Sequence, residues 1–119
     1  MSLRHPSGNG GALWFFQRIS GLALVLMLAK HFVIQHFLGT PTSAGLDYVT
    51  VAARFKNPLY ATFSLLFLAM AVLHGLNGVW MVSEDYLHKS WQRMTVWSLL
   101  MFGGLGMFAL AVVTIMSVR

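Results

Sequence analysis

The stretch PLYATFSLLFLAMAVLHGLNGVWMVS, residues 58–83, decides the fold. It carries no charged side chain. It is also longer than the roughly 20 apolar residues that a helix needs to cross the hydrocarbon core of a bilayer. Residues 94–118 form a second uncharged run of similar length, and residues 12–38 a third that is interrupted only by Arg18 and Lys30. Backbone polar groups in lipid must be satisfied inside the segment, so such runs are helices. The expectation is an all-α membrane protein: one membrane domain, residues 1–119, with transmembrane helices at about 12–38, 58–83 and 92–118.

Composition agrees. Of 119 residues, 57% are hydrophobic and 9% charged, against about 25% charged in soluble domains. So few charges cannot cover a water-facing surface, which excludes a conventional soluble enzyme. The abundance of apolar side chains excludes disorder. The net charge of +5 comes from 8 basic residues against 3 acidic ones. The basic residues are scattered, so they make no nucleic-acid patch. With no cysteine, the chain can supply no disulfide, thiolate metal site, iron–sulfur ligand or covalent haem link.

The Gly-rich opening MSLRHPSGNGG resembles a signal-peptide n-region only superficially. The apolar segment after it is too long for an h-region, so the first helix is expected to stay in the mature protein. Residues 39–57 read as the longer loop, starting Gly-Thr-Pro-Thr-Ser and ending at Asn57-Pro58, where proline suits a first helical turn. Within it, Asp47–Phe55 reads as a short interfacial helix. The second loop is expected at Glu84–Trp91. Trp14, Trp80, Trp91 and Trp97 lie near expected helix ends, as an aromatic belt requires. Arg4, Arg18, Lys89 and Arg93 on one side against Arg54, Lys56 and Arg119 on the other give a bias of four to three for a cytoplasmic N-terminus.

His31 and His74 fall inside the spans, where an ionisable residue is a functional candidate by default. The plain alternative is a neutral histidine hydrogen-bonded between helices. The helical neighbours of His74 are Met70, Ala71, Asn77 and Gly78. Small residues there leave room for a flat macrocycle, although glycines also serve ordinary helix packing. A neutral imidazole is a common axial ligand of haem iron. His31 is flanked on its face by Met27, Leu28, Ile34 and Gln35. It competes with His36, which lies about 140° away around the helix and nearer its end.

Depth adds a constraint. His31 is roughly 28 Å from the start of the first helix and His74 roughly 14 Å from the end of the second, both measured from the same membrane side. The two histidines therefore differ in depth by roughly 15 Å and cannot both ligate one iron. If both bind iron, they serve two haems, and another chain completes each site. Eleven residues after His74, close to the same helix face, comes Asp85-Tyr86. A carboxylate and a phenol at the membrane surface can hydrogen-bond a quinone and relay protons. They can also be an interfacial anchor and a solvated acid, and spacing alone favours that second reading. Arg18 can snorkel to headgroups or meet a haem propionate or a quinone. Ser20-Gly21 suits close helix packing, and Ser20 joins Arg18 as a cofactor-side candidate.

Two motifs, Trp14-Phe15-Phe16-Gln17-Arg18-Ile19-Ser20-Gly21 and His74-Gly75-Leu76-Asn77-Gly78 followed by Asp85-Tyr86, carry a resemblance over roughly residues 12–94. The chain resembles the hydrophobic membrane-anchor subunits, cytochrome b type, of succinate:quinone oxidoreductase (succinate dehydrogenase, respiratory complex II) and of the related fumarate reductases. The resemblance implies three helices that form half of a haem-binding bundle, completed by a second membrane anchor subunit beneath an iron–sulfur subunit and a flavoprotein subunit. It implies an enzyme subunit that passes electrons to quinone and holds no complete active site itself. His74 matches the axial ligand of the haem b nearer the soluble subunits, and His31 the ligand of a distal haem in two-haem members, with a one-haem form on His74 as the alternative. Tyr86 matches a tyrosine that hydrogen-bonds the quinone, Asp85 its acidic neighbour, and Arg18 an arginine near quinone and propionates that belongs more usually to the companion chain. The implied location is a bacterial inner (cytoplasmic) membrane. Rival readings are a fumarate reductase anchor, another small cytochrome b, or a non-redox three-helix membrane protein. The pairing of His74 with Asp85-Tyr86 argues against the last.

Overall fold

The computed structural model describes residues 9–37 and 48–119. Those residues form four helices and no strand: α1 (Asn9–His36), α2 (Tyr48–Phe55), α3 (Pro58–Tyr86) and α4 (Ser90–Val118). α1, α3 and α4 are long and apolar enough to cross a membrane. The N-terminal tail with Arg4, and the loop residues up to Asp47, lie outside the described residues.

The helix ends depart from the sequence expectation for one reason. A charge ends an apolar run, but a helix ends where its backbone hydrogen bonds end. α3 therefore continues through Glu84, Asp85 and Tyr86, and the Leu87 N–H closes its last turn on the Ser83 carbonyl at 2.8 Å. The expected loop at Glu84–Trp91 shrinks to Leu87–Lys89. α1 likewise starts at Asn9, three residues before its apolar run. At the other end of α3, Asn57 accepts the Leu59 N–H at 2.9 Å through Oδ1, and Pro58 occupies the first turn. Both features favour a helix start.

α3 is the central element. α1 packs on one side of it and α4 on another, and α2 folds back over α3 and α4. The register with α1 is antiparallel: Ser20 meets His74, His31 stacks on Phe67, and Gln35 meets Tyr60. Most apolar side chains on the spans are exposed, Leu22, Val25, Phe102 and Leu110 among them. In water that surface would drive aggregation; in a bilayer it is the solvated surface.

The α3–α4 contact depends on a glycine. A Cβ at Gly104 would lie 2.7 Å from Leu76 Cδ1 and 3.3 Å from Val72 Cγ1, whereas one at Gly106 would meet nothing within 4 Å. Gly104→Leu is expected to force the two helices apart at a cost of about 1–3 kcal/mol. Thermal unfolding in detergent checks this: the midpoint falls for Gly104→Leu and stays near wild type for Gly106→Leu.

Candidate functional site

The α1–α3 interface carries a polar seam in an otherwise apolar bundle. Ser20, 2% exposed, is the one buried polar residue among those described. Its Oγ donates to the Gln17 carbonyl at 3.3 Å and lies 2.8 Å from His74 Nδ1. With the serine hydrogen given to that carbonyl, Ser20 accepts from His74 and the ring proton sits on Nδ1; given to Nδ1 instead, the proton sits on Nε2. The other side of the ring agrees. Asn77 Nδ2 donates to Gln17 Oε1 at 2.8 Å and to the Leu13 carbonyl at 3.2 Å. That orients the Gln17 amide so that its nitrogen faces His74 Nε2, at 3.4 Å. Nε2 therefore presents a lone pair. The Leu13 carbonyl can only accept, so it fixes the Asn77 and Gln17 amides and favours the tautomer with the proton on Nδ1.

This donor set is chemically what a haem iron requires of a histidine. A ligating imidazole normally gives its second N–H to a fixed acceptor, which sets the tautomer and the ring plane. The Gln17–Nε2 contact is long for a hydrogen bond, and Gln17 is a flexible side chain able to turn aside. The ring is seated against glycine: a Cβ at Gly21 would lie 3.2 Å from His74 Cε1. Gly78 makes similar room for Gln17, with a Cβ 2.8 Å from its Nε2. His74 supplies one ligand position, and among the described residues no group of three or more His, Cys, Asp or Glu side chains stands together to hold a metal.

His31 lies on α1 eleven residues, about 16 Å, from the level of His74. Its ring stacks on Phe67 with centroids 5.7 Å apart. His36 is exposed at the last turn of α1, stacked on Phe32 and bonded through Nδ1 to the Phe32 carbonyl at 3.2 Å. Of the two, His31 is the one turned toward α3.

Asp85 and Tyr86 occupy the final turn of α3, not a loop. Both are exposed, and the continuous helix keeps Asp85 close to the face of His74, about 16 Å away along the axis. Arg18 is not brought to them. It sits two residues from Ser20, about 200° around α1, and its guanidinium covers the Trp14 ring at 4.2 Å. In the antiparallel register it is level with Leu76, about 14 Å deeper than Asp85. Its side chain faces away from α3.

Between α1 and α4 a cleft of about 310 Å³ opens over α3, lined by Phe16, Leu73, Leu76, Asn77, Trp80 and Trp97 among others. Gln17 and Asn77 are the functional candidates that the sequence reading passed over. Gln17 is three residues before Ser20, Asn77 three after His74, and residues so spaced share a helix face.

Residues 4–117 match the family model described as succinate dehydrogenase/fumarate reductase transmembrane subunit. The chain belongs to this family. A succinate dehydrogenase hydrophobic membrane anchor subunit from Archaeoglobus fulgidus is 34% identical over 67 residues, covering 56% of this chain and 54% of the relative. The chain thus spans about half the length of the curated relative it matches. As a member of the succinate dehydrogenase/fumarate reductase transmembrane subunit family with three long apolar helices, it is an integral membrane protein.

Proposed function

We propose that this chain is the haem b- and quinone-binding anchor of a succinate:quinone oxidoreductase, sharing its haem with a second anchor subunit and taking electrons from an iron–sulfur subunit beside a flavoprotein. The observation that supports the reading is His74 at the helix seam, its Nδ1 2.8 Å from buried Ser20 and its Nε2 met only by the Gln17 amide at 3.4 Å, a contact that would have to turn aside for a metal. In a bacterial cytoplasmic membrane, the N-terminus and the α3–α4 turn face the cytoplasm.

Each residue has its own part. His74 would hold the haem iron, and Ser20 holds His74. Bound there, a haem would supply single-electron transfer. His31, about 16 Å deeper, serves a second haem. Arg18, on the outward face of α1, meets an anionic group, propionate or quinone, from the side of the companion chain. Tyr86 donates its phenolic hydrogen to a quinone carbonyl oxygen at the membrane surface. Asp85, one residue earlier and exposed, passes protons from water to the reduced quinone, which takes up two electrons and two protons. The apolar cleft lined by Trp80 and Trp97 suits the hydrocarbon part of such a substrate.

The test is the reduced-minus-oxidised spectrum of the complex purified with this chain. A b-type haem is expected, and a complex without one overturns the proposal. Ser20→Ala is expected to weaken haem retention about 10-fold, the usual scale for losing an outer-shell partner of a metal-binding histidine, and to shift the haem midpoint potential. Ser64→Ala is the control. The Ser64 hydroxyl is buried without a hydrogen-bond partner, so removing it leaves haem content and potential unchanged.

A further inference from the structure

At the opposite end of the bundle a second polar cluster joins α1, α2 and α3. Arg54 donates through its guanidinium to Gln35 Oε1, and Gln35 Nε2 donates to the Tyr60 hydroxyl at 2.7 Å. Phe55 packs edge-on against Tyr60, ring centroids 5.2 Å apart. Arg54 is half-buried and held in place by this chain of bonds. Beside it is a cleft of about 180 Å³ lined by Ile34, Arg54, Asn57 and Tyr60.

The polar groups around this cleft have donors to offer. A guanidinium has five N–H groups, and one here serves Gln35. Tyr60 accepts from Gln35, which leaves its own hydrogen to give. Asn57 uses Oδ1 as the α3 cap, which leaves its NH₂ group. No carboxylate among the described residues lines the cleft. Among the described residues the acids are Glu84 and Asp85, both at the far end of α3. A ring of donors without an acceptor takes an acceptor-only anion, and an arginine fork matches a phosphate better than any other common group.

Depth identifies the source. α2 is amphipathic, with Tyr48 and Val49 strongly exposed and Arg54 in its last turn. A short helix of that kind lies in the plane of the membrane interface. The cleft therefore sits at the level of lipid phosphates, and exposed Lys56 beside it adds attraction for an anionic surface. We infer that Arg54, Tyr60 and Asn57 form a binding site for the phosphodiester of an anionic phospholipid headgroup. The site stands apart from the His74 seam and does not depend on the redox reading.

Native mass spectrometry of the full chain in detergent, offered phosphatidylglycerol or phosphatidylcholine, tests it. Wild type is expected to retain the anionic lipid preferentially. Arg54→Gln is expected to lower that retention about fivefold to tenfold, the scale of losing a charge-assisted pair. Lys56→Gln, outside the cleft, changes it less than about twofold. Asn57→Asp guards against misfolding: it keeps the oxygen that caps α3 but replaces the amide donors with negative charge, so helix stability is kept while the lipid is lost. Equal retention of the two lipids by wild type, or unchanged retention in Asn57→Asp, overturns the site. Displacement of the lipid by inorganic phosphate would show a free-anion site and overturn the lipid assignment.

Discussion

The complex carrying His74→Ala is expected to lose the haem that this chain helps to hold, while its three spans stay folded. The imidazole provides the only nitrogen of the seam with a lone pair, because the Gln17 and Asn77 amides offer oxygen acceptors or N–H donors. Alanine leaves the iron without its ligand from this side, and no other histidine among the described residues stands at that level; His31 is about 16 Å deeper. Folding is expected to survive because the Asn77–Gln17 and Asn77–Leu13 bonds persist, as does the α3–α4 contact around Gly104. Haem per complex, measured after reduction, checks the prediction, and the helical content of the same sample separates haem loss from unfolding. His31→Ala sharpens the result. In a two-haem anchor it removes a different haem and leaves the His74-linked one in place. If haem content is unchanged in His31→Ala, the chain serves one haem only. If it is unchanged in His74→Ala, the proposed function fails.

The spans were legible because lipid imposes a blunt rule: a charge-free run of about 20 residues has few other uses. Their ends were not, because Glu84 closes the apolar run while the backbone bonds continue to Ser83–Leu87. Axial distances were legible for a similar reason. Helical rise fixes them, and it placed His74 and His31 at levels some 15 Å apart. Rotation was not legible. Which face of α1 meets α3 depends on packing across the interface. For that reason Ser20 and Arg18, two residues apart, could both be named as cofactor-side residues, yet Ser20 turns to His74 and Arg18 turns outward onto Trp14. The Gln35–Tyr60–Arg54 cluster was the least legible. It exists because α2 folds back and Phe55 seats on Tyr60, a tertiary event with no local pattern in residues 48–60.

Tyr86→Phe is expected to slow quinone reduction on the order of a hundredfold, the range seen when a single well-placed hydrogen-bond donor or general acid is removed from a reacting oxygen. The substitution deletes one oxygen and keeps the ring. Tyr86 is 76% exposed in the last turn of α3, and its side chain makes no hydrogen bond among the described residues, so the fold has nothing to lose by the change. Two assays isolate the effect. Succinate-driven reduction of a quinone is expected to fall, with most of the loss in kcat if the bond strengthens as charge develops on the quinone oxygen. Succinate-driven reduction of a soluble artificial acceptor, which takes electrons upstream of the membrane, is expected to stay at the wild-type rate. Haem content is also expected to hold, because Tyr86 lies about 18 Å along α3 from His74. Asp85→Asn should act more weakly and differently. It removes a proton carrier but leaves the phenol, so its loss of rate should be relieved as the medium becomes more acidic and water supplies protons directly, whereas the Tyr86→Phe defect should persist across pH. Equal losses in both electron-acceptor assays would trace the defect to assembly of the soluble subunits on this end of the bundle and remove Tyr86 from the quinone chemistry.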